Sequence, residues 1–110
     1  MVVEDFVRAL NLEVKNAGRP GRRITGGYCS DLLSEVMGHA TQGNIWFTLQ
    51  SHPNVVAVAS LLDLAAVVIT EGHQPSEETL AKARDEGVTV LTTSLSTFEA
   101  AGQLYQLLAK

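Results

Sequence analysis

At 110 residues, 45% of them hydrophobic and 18% charged, the chain is the size of one domain and too short for a two-domain enzyme with an interdomain cleft. Eight Lys and Arg against twelve Asp and Glu give a net charge of −4, so there is no broad basic field and no nucleic-acid partner is expected. Cys29 is the only cysteine, which excludes an intrachain disulfide and the set of thiolates that an iron–sulfur cluster takes.

Val3, Phe6, Val7 and Leu10 recur at helical spacing, with Glu4 and Asp5 in the first turn where they suit the helix dipole. Leu12 to Lys15 alternates and reads as a short strand, and Asn16 to Gly21 is a loop rich in glycine and proline. A second strand is expected from Arg23 to Cys29. The pair Gly26-Gly27 inside it suggests a bulge, or a place where a ligand or another backbone comes close. Asp31 is expected to cap a short helix that runs through Met37 and closes at Gly38. Ile45 to Leu49 is a strand, and Pro53-Asn54 open an apolar helix reaching Leu64. Ala66 to Thr70 is apolar throughout, as in a strand covered on both faces. Ser76 caps a helix ending at Gly87, and Val88 to Thr92 is the next strand. Ser96-Thr97-Phe98-Glu99 has the form of a capping box and opens a last helix, with an expected apolar stripe of Phe98, Ala101, Tyr105 and Leu108.

Strands alternating with helices through short loops predict a three-layer α/β/α sandwich with a mainly parallel central sheet, as one domain over residues 1–110. Phe47, Leu49, Val67, Ile69, Val90 and Leu91 are expected in or beside that sheet. The longest apolar stretch, Val55 to Ile69, is interrupted by Ser60 and Asp63 and is too short for a bilayer, so no membrane partner is expected. The first five residues lack the pattern of a signal peptide, which points to the cytoplasm.

In open α/β sheets, ligands sit beyond the carboxyl ends of the strands, where helix N-termini point. The residues expected there are polar: Ser30 and Asp31, then the loop from Gln50 through Ser51 and His52 to Asn54, and Thr93 through Ser96. Together with Thr25, Gly26 and Gly27 they form the expected ligand site, although each hydroxyl or amide is equally an ordinary helix cap. Asp31 repels an anion and suits a cap or a ribose hydroxyl. Arg19, Arg22 and Arg23 supply positive charge if their loop folds inward, and otherwise form a solvated cluster. His39, His52 and His73 lack the spacing of a helical ligand pair, so no metal is expected. With neither a nucleophile elbow nor a phosphate loop, no catalytic residue and no cofactor are expected.

The stretch from Gly21 through Arg22-Arg23-Ile24-Thr25-Gly26-Gly27 to Ser34 resembles the signature of the DRTGG domain family, although it lacks the leading aspartate of that motif. The resemblance continues through Thr48 to Asn54 and Thr92 to Glu99, and so spans nearly the whole chain. It implies a fold similar to the N-terminal domains of HPr kinase/phosphorylase and of Mur ligases. It also implies an accessory role, because in companion proteins catalysis lies in other domains. Labels such as serine kinase or iron–sulfur hydrogenase component, sometimes given to stand-alone copies, fit neither the absent phosphate loop nor the single cysteine.

Two functions from different classes are therefore expected to compete. One is a non-catalytic regulatory module binding a small anionic ligand, a nucleotide or phosphorylated metabolite, at the carboxyl edge of the sheet. The other is an interaction module without a ligand, which forms a homodimer or docks on a larger enzyme. A homodimer is expected because Asn54 to Leu64 is apolar on nearly every side, and because Trp46 and Tyr28 add aromatic surface.

Overall fold

The computed structural model describes Met1–Lys110. Its elements are α1 (Val3–Leu10), β1 (Glu13–Asn16), β2 (Gly26–Cys29), α2 (Leu33–His39), β3 (Asn44–Thr48), α3 (Pro53–Leu61), β4 (Ala66–Ile69), α4 (Glu77–Glu86), β5 (Val90–Thr92) and α5 (Thr97–Leu108). The five strands lie in the order β1-β5-β4-β3-β2. All neighbouring pairs are parallel except β1 with β5, which run antiparallel.

Side chains alternate across a strand, and here that alternation builds two cores. Ile45, Phe47, Ala66, Val68 and Leu91 pack on one face with Phe6 of α1 and Leu104 of α5. Trp46, Val67, Ile69 and Val90 pack on the other with Val36, Val56 and Ala83 from α2, α3 and α4. Helices thus cover both faces of a mostly parallel sheet, and the fold is a three-layer α/β/α sandwich. Phe6 meets Phe47 edge-on, with ring centroids 6.2 Å apart. Each large side chain removed from water in this way contributes about 2–3 kcal/mol relative to exposure. No helix is long and apolar enough to cross a membrane.

Local signals set the element ends. The Asp5 carboxylate accepts from the Val2 N–H at the start of α1, Ser76 caps α4, and Ser96 with Glu99 forms the capping box of α5. Gly43, just before β3, has φ +84, and a Cβ there would lie 2.7 Å from Thr25 Cγ2. Only glycine fits both the backbone and the space.

Four expectations are corrected. Asp31 does not cap α2; the N-cap is Leu32, with no side-chain bond, and the helix runs past Gly38 to His39. The Asp31 carboxylate turns instead to the end of β3, where it accepts from Thr48 Oγ1 and Leu49 N. The buried stripe of α5 is Ala100 and Leu104, whereas Phe98 and Tyr105 are 88% and 78% exposed. The helix carries two apolar stripes about 100° apart, each with an alanine, and the sheet takes the one formed by Ala100 and Leu104. Trp46 is wholly buried and offers no surface. Finally, α3 is covered mostly from within the chain, with Leu61 the one large apolar side chain it leaves exposed. Val55, Val56, Val58 and Ala59 are buried in the core shared with α2, α4 and the sheet.

Candidate functional site

Where β3 ends, its last side chains and the loop to α3 form a polar shelf. Asp31 Oδ1 is 2.8 Å from Thr48 Oγ1 and 2.7 Å from Leu49 N, while Gln50 Nε2 donates to Asp31 O at 3.2 Å. Trp46 Nε1 donates to Ser30 O at 2.8 Å, which ties the end of β2 to the buried ring. His52 Nδ1 accepts from Asn54 N and so caps α3. That bond places the imidazole proton on Nε2 when the ring is neutral.

The N-terminus of α4 closes the shelf. Thr79 Oγ1 donates to Ser51 O at 2.6 Å, and Ser76 Oγ accepts from Thr79 N. The result is an open cavity of about 560 Å³ lined by Asp31, Gln50, Ser51, His52, Ser76 and Glu78, with Leu49 and Pro53 completing the wall. Asp31 Oδ2 has no partner within the protein, and Glu78 is exposed. No lysine or arginine lines this cavity.

Three of the expected site residues, Asp31, Gln50 and His52, line it together; Asn54 N is bonded to His52 at its rim, and Ser30, next to Asp31 in the chain, accepts from Leu32 N. The others lie apart. Thr93 lines a second polar cavity of about 530 Å³ with Asn11, Glu13, Gln74 and Gln103, near the other edge of the sheet. Ser96 is occupied by its capping box with Glu99. Thr25 sits at the opposite end of the sheet, where its Oγ1 donates to Gln42 O and accepts from Asn44 Nδ2. Gly26 and Gly27 border an apolar groove of about 480 Å³ with Cys29, Leu104, Tyr105 and Leu108. A Cβ on Gly27 would lie 3.3 Å from Leu104 Cδ2, so the room the glycine leaves is taken by α5 of the same chain.

The arginines also lie at the amino end. Arg22 grips Asp63 through Nη1–Oδ1 at 2.8 Å and Nη2–Oδ2 at 3.0 Å, and Arg19 adds a contact at 3.0 Å. The Arg22 guanidinium, helped by Arg19 and Gln42, holds the Asp63 carboxyl well below the usual carboxylate range. Arg19 and Arg22 are thus turned to Asp63 and not to the carboxyl edge, while Arg23 is exposed with no carboxylate partner. Cys29 is exposed, yet partial desolvation pushes its thiol pKa up, which disfavours the thiolate. His39, His52 and His73 fall in three separate places, and nowhere do three His, Cys, Asp or Glu side chains converge as metal ligands do.

Sequence reasoning missed Ser76 and Glu78 as lining residues. Ser76 was legible only as a cap, because the Thr79–Ser51 bond that brings α4 to the shelf joins segments 28 residues apart.

The model of the DRTGG domain matches residues 22–107. Among solved structures, the chain is similar to the crystal structure of the CBS and DRTGG domains of the regulatory region of Clostridium perfringens pyrophosphatase, complexed with the activator diadenosine tetraphosphate. The TM-score is 0.71 at 21% identity, covering 90% of this chain and 44% of that one. The likeness is one of fold, and the chain spans less than half the length of that structure. No curated protein matches the sequence. The chain belongs to the DRTGG domain family.

Proposed function

We propose that this chain is a non-catalytic regulatory module that binds a small nucleotide-class ligand in the cavity at the carboxyl end of the sheet. The observation that carries this reading is the chemistry of the lining: two carboxylates, an imidazole, an amide and two serines, with no cation. Such a set accepts hydroxyl protons and donates few positive charges, so it suits the ribose of a nucleotide better than its phosphates. Asp31 Oδ2 and Glu78 accept from ribose hydroxyls, while His52 Nε2 and Gln50 donate. Any phosphate points away from the carboxylates toward solvent. The solved structure similar to this chain, a regulatory region complexed with diadenosine tetraphosphate, supports both the regulatory role and the ligand class. On this reading the module works in the cytoplasm and acts on a larger enzyme partner that carries the chemistry.

The test is thermal denaturation with adenosine, AMP, ATP, diadenosine tetraphosphate and inorganic phosphate, each in turn. A ligand of the native state at 100 times its Kd stabilises by about 2.7 kcal/mol. Adenosine and the nucleotides are expected to raise Tm, and phosphate alone is not. Glu78→Gln should abolish the shift. If no compound moves Tm, this reading fails.

A second reading, an interaction module that self-associates, is favoured by a separate observation. Among the exposed large hydrophobic residues, Leu32, Met37, Phe98, Tyr105 and Leu108 belong to α2, its cap and α5. These are the helices that pack against β2.

A further inference from the structure

The two edges of the sheet are built differently. At the β1 edge, Glu13 and Lys15 form an ion pair, the pairing with β5 is irregular between Val14 and Asn16, and Asn16 Nδ2 caps Val88 O. Charge and a bulge are the devices by which edge strands avoid pairing with another chain. The β2 edge has neither. From Ile24 to Ser30 there is no charged side chain, and α5 beside it carries none after Glu99 until Lys110. On an acidic chain of net charge −4, a surface without charge is one that a second copy can approach without repulsion.

The backbone of this edge is covered only in part. Val3 N donates to Arg22 O and Ile24 N to Met1 O, so the N-terminal segment pairs with the stretch just before β2. From Gly26 onward no strand lies outside β2. Thr25 N donates inward to Gly43 O, and a ladder uses alternate residues, so Gly26 and Tyr28 turn their N–H and C=O groups outward.

We propose that β2 pairs antiparallel with β2 of a second copy, joining two five-stranded sheets across a two-fold axis at Gly27. This inference rests on the self-association reading above. The register follows from which groups are free. Centring on Gly26 would set Tyr28 against Ile24, whose N–H is taken by Met1. Centring on Tyr28 would set Gly26 against Ser30, whose N–H is taken by Phe47. Only Gly26 opposite Tyr28 uses every free group, giving about four new hydrogen bonds. It also lays the Tyr28 ring across Gly26 of the second copy, the arrangement by which an aromatic side chain covers a glycine in a neighbouring strand. Tyr105 and Leu108, which line the groove along β2, then lie at the seam and lose their exposure.

The experiment measures the mass of the full chain by light scattering with size exclusion. The parent is expected at twice its 11.8 kDa, and Tyr28→Pro and Tyr105→Glu at 11.8 kDa. Tyr105 is 78% exposed, so its substitution leaves the fold intact, which circular dichroism verifies. Val14→Glu at the charged edge should remain dimeric. Thr25→Cys reads the register, because position 25 then faces the native Cys29 of the second copy. Oxidation should cross-link this variant and not the parent. A monomeric parent at high concentration overturns both the self-association reading and this surface. A dimer that survives Tyr28→Pro and Tyr105→Glu overturns the surface alone.

Discussion

The two ends of the sheet use polar side chains in opposite ways. At the amino end, Arg22, Arg19, Gln42 and Asp63 satisfy one another, and Thr25, Gln42 and Asn44 close a second small network beside them. At the carboxyl end, Asp31 and His52 are each held through one atom and keep another open: Asp31 Oδ1 accepts two bonds and Oδ2 is free, and His52 Nδ1 is used and Nε2 is free. The charged end is therefore closed structure, and the other end keeps polar atoms unpartnered beside an open cavity. A charge cluster in a sequence is weak evidence for a ligand site until its own counter-charges have been located.

Substitutions at the two ends should separate stability from binding. The largest effect is expected for Trp46→Ala, which empties a fully buried site and releases Ser30 O; about 3–5 kcal/mol should be lost in denaturant unfolding. A loss under 1 kcal/mol would mean that the shelf is not tied to the core. Gly43→Ala at the amino end combines φ +84 with a contact of 2.7 Å to Thr25, and should cost about 2–4 kcal/mol while leaving nucleotide binding by the folded protein unchanged.

Asp63→Asn is a milder probe, because asparagine tolerates the φ of 55 at this position and only the charge is lost. With the carboxylate side chain 40% exposed, solvent screening holds the expected loss to about 1 kcal/mol at neutral pH. The folded pKa is depressed, so this contribution is complete above the unfolded value near 4 and disappears as pH falls through the lower folded value. Parent and variant should thus converge in stability as the pH drops below about 4. A gap that persists there would show that geometry, not charge, makes the clasp. The smallest stability effect is expected for Gln50→Ala, within about 0.5 kcal/mol. Its nucleotide-dependent Tm shift should nevertheless fall, and a variant that binds like the parent would remove Gln50 from the site.

Much of the fold was legible in the residues. Ser76, Gly87 and the Ser96–Glu99 box mark their helix ends because capping is a local hydrogen-bonding event. The apolar run from Ala66 signals a strand buried on both faces, as β4 is. The cavity was legible in part: Asp31, Gln50 and His52 line it together, and they were grouped by a rule about strand ends that depends only on element order. Thr25 and Thr93 could not be sorted from them. Where the strand after Arg23 begins to pair with β3, and which edge of the sheet a loop serves, are set by the packed sheet.

Local sequence determined the elements, their caps and the two alternating faces of each strand, because those follow from hydrogen bonds and side-chain periods over a few residues. Tertiary structure alone decided that α5 turns Ala100 and Leu104 inward and leaves Phe98 and Tyr105 outside. The sequence offers two apolar stripes on that helix, and only the distance to the sheet chooses between them. Tertiary structure likewise sent Asp31 to β3 and the arginines to Asp63, since those partners lie 17 and 41 residues away. A side chain's valence is written in the sequence, but what satisfies it is set by whichever group the packed layers bring within 3 Å.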